Sequence, residues 1–313
     1  MQIIVKKTGL LLVTLLLVSL LAFLAFQIIP ADPATMLLGT EYSPERAAAL
    51  RTEMGLDRSI PVRYWTWLSG FVRGDMGDSY IYGVKVAEVM EGKLAVTASL
   101  ALLSWLLVTA VSIPLGVTLA RYAGGRFDRI SLALDQLFMA APPFFLGILL
   151  TYLFGIVLHW FTPGRYVSPA QSFSGFLGYM IFPALAISVP KIARVAKLLR
   201  ASILSEMGRD YVRTAYSHGN SRWSVIERHV LPNALLPVVT YLAMSLADIV
   251  ASSIVVEQVF VLPGLGRLLI ASISNRDYPV ALCIVVIIAS VVVFMNYLAD
   301  LTTQLIDPRV RLS

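Results

Sequence analysis

Apolar residues fall in long blocks along this chain, and the polar residues between them are grouped rather than scattered. A helix needs about 20 apolar residues to cross a bilayer. Six blocks are read as such spans: residues 8–29, 94–120, 132–160, 176–190, 231–256 and 280–305. The first follows Lys6 and Lys7 and meets no charge before Asp32. A cleaved leader would have a shorter apolar core, about 7–15 residues, and a small-residue cleavage site. "FQIIPADP" is a poor one, so a retained helix is expected. The third block holds Pro142-Pro143, which predicts a helix kinked inside a bundle, because neighbours must satisfy the carbonyls that proline frees. Beyond the fourth, Lys191, Arg194, Lys197 and Arg200 continue on one broad face. The pattern predicts an all-α membrane protein with six transmembrane helices, read as one transmembrane domain over residues 1–313.

The polar stretches carry their own signals. In residues 31–93, "SPERAAALRTEMG" reads as a short helix with Ser43 as N-cap, Pro44 in the first turn and Gly55 as stop. "RYWTWLSGFVRGDMGDSY" has the Trp and Tyr content of a segment lying at a membrane–water interface, with Trp65 and Trp67 as an interface cluster. Six spans put both termini on one side. Lys6, Lys7, Arg121, Arg126, Arg129, the cluster from Lys191 to Arg228, Arg309 and Arg311 all fall there, against only Arg165, Arg267 and Arg276 in the opposite short loops. That bias makes the termini cytoplasmic and residues 31–93 external. Residues 201–230 then form a cytoplasmic loop. "SEMGRDYVRTAYSH" can be one helix stopped by Gly219, and "SRWSVIERHVLP" a second, with Ser221 as N-cap and Pro232 starting the next element. Such a pair makes a compact knob that could dock in a cleft of a soluble partner; an ordinary basic loop lying on anionic lipid is the alternative.

Composition narrows the function. The chain is 58% hydrophobic and 14% charged, with a mean hydropathy of +0.77 and a pI near 9.5. In a soluble protein that pI would suggest nucleic acid; here the basic residues are explained by membrane orientation, and nucleic-acid binding is set aside. Cys283, alone in an apolar run, can form neither an internal disulfide nor a zinc site. No G-x-x-x-x-G-K-[ST] loop occurs, so energy must come from a partner, and "GLGRLL" is read as a turn. No HExxH or GxSxG motif supports a membrane enzyme, and no catalytic residue is expected.

Five stretches together resemble one family. Residues 213–232 resemble the EAA loop of ABC-importer permeases, which reads Glu-Ala-Ala, three residues, Gly, nine residues, Ile-x-Leu-Pro. Ala215, Gly219, Leu231 and Pro232 occupy matching positions, while Arg213 and Thr214 replace Glu-Ala and His229 replaces Ile. "MGLDRSIPVRYWTWLSGFVRGDMGDSY", "EQVFVLPGLGRLL", and "NRDYPV" with "DLTTQLIDPRVR" look like segments of the dipeptide/oligopeptide/nickel permease subfamily, in the subfamily's order. The resemblance implies a type I ABC importer permease fold in a bacterial or archaeal inner membrane. It also implies a second homologous permease, two ATPase subunits that bind ATP and Mg, and an extracytoplasmic solute-binding protein as partners, alongside membrane lipid. No cofactor or metal is expected in this chain. ATPase coupling would fall to Asp210, Arg213, Ala215, His218, Gly219, Arg222, His229, Leu231 and Pro232. The cargo would be peptides, nickel or metal chelates, or another small solute.

Two carboxylates, Asp248 and Glu257, lie along the fifth span. An intramembrane carboxylate costs at least about 2.5–3.5 kcal/mol at a helix centre, so each should face a cavity or a partner. Both are candidates for the translocation path; a structural pair with an Arg, or for Glu257 a place at the external interface, is the alternative. Asp135 and Asp300 are read as structural. His159, His218 and His229 lie at an external helix end and in the cytoplasmic loop, too far apart for a joint metal site. Met139, Met180, Met244 and Met295 are read as packing. A stand-alone secondary transporter is the less favoured class: no internal repeat is visible, and the docking loop would have no role.

Overall fold

In the computed structural model, residues 2–28, 33–38 and 43–306 are described; Asp32 and Glu41, and the tail residues Arg309 and Arg311, lie outside them. The described residues are overwhelmingly helical. In chain order the helices are α1 (Gln2–Ile28), α2 (Pro33–Leu38), α3 (Pro44–Glu53), α4 (Ile60–Val72), α5 (Val86–Val89), α6 (Lys93–Arg121), α7 (Arg126–Ala140) and α8 (Pro143–Leu150). After them come α9 (Phe173–Glu206), α10 (Asp210–Ser217), α11 (Arg222–Val225), α12 (Leu231–Ala234), α13 (Leu236–Val259), α14 (Leu265–Ser274) and α15 (Tyr278–Ile306). Two π-helical turns, Thr151–Val157 and Ile226–Val230, extend α8 and join α11 to α12. Among the described residues five helices are long and apolar enough to cross a membrane, and the count becomes six if α7 and the extended α8 are one bent span.

That bend corrects the expectation of a kink. The two halves meet at 101°. Each proline disfavours helical geometry in the residue before it. Two in succession leave Ala141 at φ −77°, ψ 123° and Pro142 at φ −65°, ψ 142°, a full break of extended backbone. The fourth span departs in the opposite direction. It runs 34 residues, straight through Pro183 and Pro190, so Pro190 ends nothing and residues 201–206 belong to the helix rather than to the loop.

The chain groups into two compact units. One contains residues 1–95 and 264–293, the other 96–263 and 294–313. In the first, α4 lies against α1 and α15: Phe23, Tyr64, Leu282 and Val286 are buried together, with Trp67 and Phe71 packed against them. Ser19 Oγ and Tyr64 Oη are hydrogen-bonded at 2.8 Å. Trp67 stacks on Phe71 at 5.3 Å, whereas Trp65 is exposed. Ser43 caps α3, accepting from the Arg46 N–H at 3.2 Å, and Gly55 follows the helix at φ 66°, as expected. Two stretches far apart in sequence meet at Asp277, which accepts from Ser79 Oγ and, at 3.1 Å, from the Tyr80 N–H. Cys283 is buried and donates to the Met76 carbonyl at 3.5 Å. "GLGRLL" is more than a turn: Gly264 is the N-cap of α14.

In the second unit α9 is the central helix. Gly116 of α6 packs so closely on it that an added Cβ would sit 2.9 Å from both the Ala196 carbonyl oxygen and Leu199 Cβ. Arg200 of α9 clamps Asp128 of α7 with two hydrogen bonds, 2.6 Å and 2.7 Å, and the Gly124 N–H donates to the same carboxylate at 2.8 Å. Tyr179 donates to the Phe260 carbonyl at 2.5 Å, tying α9 to the end of α13. Trp105 of α6 donates to the Leu242 carbonyl at 2.9 Å. Of the four methionines read as packing, Met180 is fully buried but Met244 lies 49% exposed on α13.

Candidate functional site

Residues 207–235 link α9 to α13 and form an ordered knob. Asp210–Ser217 is helical, with an acidic first residue suited to a helix N-terminus. His218 donates from its N–H to the Thr214 carbonyl at 3.2 Å, and Gly219 to that of Tyr216 at 2.9 Å. Gly219 has φ 79°, the left-handed conformation that ends helices and favours glycine. Asn220 follows and donates its side-chain amide to the Ala215 carbonyl at 3.0 Å, satisfying another carbonyl at the end of the same helix. Ser221 then caps the next helix, accepting from the Ser224 N–H at 3.3 Å. Pro232 opens the next element, as expected. A π-turn containing His229 leads directly into Leu231–Ala234, where Pro232 sits in the first turn and lacks only a donor that would be unpaired there anyway.

Burial divides the expected coupling residues. Val212, Ala215, Val225, Ile226, Val230 and Ala234 are buried in one apolar cluster with Val117 and Ala120 of α6, Val195, Leu199 and Ile203 of α9, and Val238 and Leu242 of α13. Each larger side chain placed there stabilises by roughly 1.5–3 kcal/mol relative to exposure. The knob is therefore seated on three long helices. Ala215 is 7% exposed and belongs to that seat, so it is not on an outward docking face. Leu231 is half-buried against the cluster. Asp210, Arg213, His218, Gly219, Arg222, His229 and Pro232 are exposed and make the outer face, together with Tyr211, Tyr216 and Trp223. His159 is outside this assembly, and among the described residues no three His, Cys, Asp or Glu side chains could hold a metal.

Sequence reasoning missed the groups that fasten the knob. Tyr211 donates to Glu206 Oε2 at 2.8 Å and accepts from Asn233 at 3.4 Å, joining the end of α9, α10 and α12. Partial desolvation, opposed by the Asn233 hydrogen bond and reinforced by the one to Glu206, raises the Tyr211 pKa above its ordinary value. Arg121, counted only as an orienting charge, stacks its guanidinium over the Trp223 ring at 4.7 Å. The Gly-Asn dipeptide was a readable signal for the helix end; the other partners are far apart in sequence and give none.

The two carboxylates of α13 occupy different environments. Glu257, two residues from the end of the helix, is 0% exposed and accepts from Thr97 Oγ1 of α6 at 2.6 Å. Asp248, at mid-helix, has a 62% exposed side chain and is ion-paired to Lys191, whose own side chain is 9% exposed. Lys191 is one of the basic residues expected to continue the fourth span on one broad face. It lies well inside α9, and its partner is on α13. The expected alternative of a pair with Arg is met by Lys.

Comparison with known proteins agrees with this arrangement. Residues 112–312 match the family described as binding-protein-dependent transport system inner membrane component, and residues 1–101 match its N-terminal counterpart. A probable peptide ABC transporter permease protein of Sinorhizobium fredii is 35% identical over 294 residues, 94% of each chain. The dipeptide transport system permease protein DppB of Escherichia coli is 33% identical over 337 residues, 99% of each chain. Among solved structures, a chain of the MetNI methionine ABC transporter in an inward-facing conformation matches with a TM-score of 0.57 at 17% identity, covering 70% of this chain and 96% of that one.

Proposed function

The chain belongs to the binding-protein-dependent transport system inner membrane component family, and we propose that it is one of two permease subunits of an ATP-driven peptide importer. The observation that carries the coupling half of this reading is the knob at residues 207–235. Its helix stop at Gly219 adopts the left-handed conformation, its inner face is fixed to α6, α9 and α13, and its outer face is polar and aromatic. A knob so built passes a displacement to three long helices, which a loop lying loosely on lipid would not do. On this reading the outer face of the knob seats on an ATPase subunit, two of which bind ATP and Mg. The termini and the knob are cytoplasmic, and residues 31–93 face the extracytoplasmic binding protein. Asp248 lies on the pathway, while Glu257, buried against Thr97, ties the ends of α13 and α6.

Peptides are favoured as cargo over nickel or metal chelates because relatives matching nearly the whole chain are named for peptide or dipeptide transport. The test is reconstitution of the complete set of subunits in proteoliposomes. ATP-dependent uptake of a dipeptide is expected, with none by this chain alone. Accumulation against a gradient by the chain alone, or uptake of nickel chelates with no peptide uptake, would overturn the reading. Retention of the ATPase subunits during purification through this chain tests the docking part separately.

A further inference from the structure

The Lys191–Asp248 pair joins α9 to α13, and its two members are very unequally exposed. Lys191 is shut inside the bundle, and its ammonium donates to Asp248 Oδ2. Asp248 Oδ1 makes no hydrogen bond among the described residues, and most of the Asp248 side chain is open. On α13 the residues Met244, Asp248, Ala251, Val255 and Gln258 are exposed. At spacings of four and three they form one stripe. Thr240 and Ser252 flank it, half-buried. Within residues 10–21 of α1 the exposed positions are all apolar: Leu10, Leu12, Val13, Leu16, Leu17 and Leu21. Lipid can cover that surface, but a carboxylate and an amide need water or polar partners.

The position of the pair follows from the bounds of α13, a helix long and apolar enough to cross a membrane: it runs from Leu236 to Val259, and Asp248 lies at its middle. At 1.5 Å per residue Asp248 is about 18 Å from the start of the helix, near the middle of a hydrocarbon core about 30 Å thick if α13 spans it. The stripe therefore carries its charge at a depth where a solute in transit has left bulk water.

We propose that Asp248, held by Lys191, is the station at which the ammonium group of a translocating peptide is received; this rests on the peptide-importer reading above. The chemistry selects ammonium over carboxylate. An incoming ammonium reaches the open Oδ1, whereas an incoming carboxylate meets Asp248 first and finds Lys191 behind it. Lys191 also limits the hold. It cancels the charge of the empty station, so an ammonium shares the carboxylate instead of being trapped by it, as passage through a pathway requires.

The experiment uses the complete transporter in proteoliposomes with dialanine as the probe, comparing wild type with Asp248→Asn, Asp248→Glu, Lys191→Met and the neutral double variant Lys191→Met/Asp248→Asn. Asp248→Asn is expected to lower uptake by roughly tenfold or more, the worth of one charge-assisted hydrogen bond. ATP hydrolysis stimulated by the loaded binding protein should continue, because the knob is untouched. Asp248→Glu should recover part of the uptake. Lys191→Met should lower KM and kcat together, since the unshared carboxylate holds the ammonium longer. The double variant should remain defective. Wild-type uptake by the double variant would make the pair merely structural and overturn the proposal. So would loss of the second permease from Asp248→Asn preparations, which would make Asp248 a subunit contact. Failure of the wild-type complex to take up dialanine would instead sink the importer reading itself.

Discussion

Replacing Gly219 tests the coupling knob at the point where its geometry is least negotiable. The residue has φ 79°, and a Cβ added there would meet nothing within 4 Å. Any penalty is thus backbone strain, free of a clash. The left-handed conformation costs an ordinary L-residue about 1–2 kcal/mol, and a β-branched side chain makes it a genuine outlier. Taking roughly 2 kcal/mol for valine, the local balance between the closed helix end and a reopened one shifts by about thirtyfold. The helix it closes is only 8 residues long. Helices under about 12 residues are marginal alone, so α10 depends on its cap and on the seating of Val212 and Ala215. Gly219→Val is expected to leave the subunit in the membrane with its long helices intact, but with the outer face re-aimed. ATPase subunits should be released or poorly stimulated. Gly219→Asn, which tolerates this conformation, should stay close to wild type, with Gly219→Ala between the two. The assay is paired: ATPase-subunit retention on purification, and ATP hydrolysis stimulated by loaded binding protein. Normal coupling in Gly219→Val, or an Asn variant as impaired as the Val variant, would refute the reasoning. If the segment only rested on anionic lipid, removing Arg213, Arg222 and Arg228 together would matter more than any change at Gly219.

Three further outcomes follow from the packing and the proposed topology. Ala215→Asp places a carboxylate in the apolar seat of the knob and should unseat α10, costing several kcal/mol, whereas Ala215→Ser should be mild; protease cutting within residues 207–221 reads the difference. Gly116→Val drives a side chain into the Ala196 carbonyl and Leu199, where overpacking costs about 1–3 kcal/mol or more, so membrane yield and melting temperature should both fall, while Leu106→Val, on an exposed position of the same helix, should change neither. Cysteines placed at Ser43 and at Ser221 should react with impermeant maleimide from opposite sides of sealed cells; Cys283 is buried and contributes little background, and labelling of both from one side would sink the proposed topology.

The helical class and the positions of most long helices follow from local rules that sequence carries openly. Apolar runs longer than any loop could bury announced α1, α6, α13 and α15, and the left-handed stop at Gly219 needs no more than a glycine after a helical stretch. Ser43 and Ser221 capped the helices expected of them, because a hydroxyl reaching a free N–H three residues on is a local interaction. The proline pairs were less legible. Pro142-Pro143 breaks its span through 101°, yet Pro183 and Pro190 leave α9 unbroken. Adjacent prolines impose extended geometry on each other's neighbours, whereas isolated ones leave a helix that its neighbours can hold together. The chemistry of the interior was decided by the tertiary structure. Lys191 read as one basic residue in a row after an apolar block, and Asp248 as a lone carboxylate. Only the packing of α9 on α13, in the register set by Tyr179 and Phe260, brings the ammonium inside the bundle to the open carboxylate. The same holds for Ala215 and Glu257, which lie buried against helices distant in sequence. Burial and pairing are sums over contacts between residues tens to hundreds of positions apart. A single sequence states which groups need a partner; the fold determines which partner each one meets.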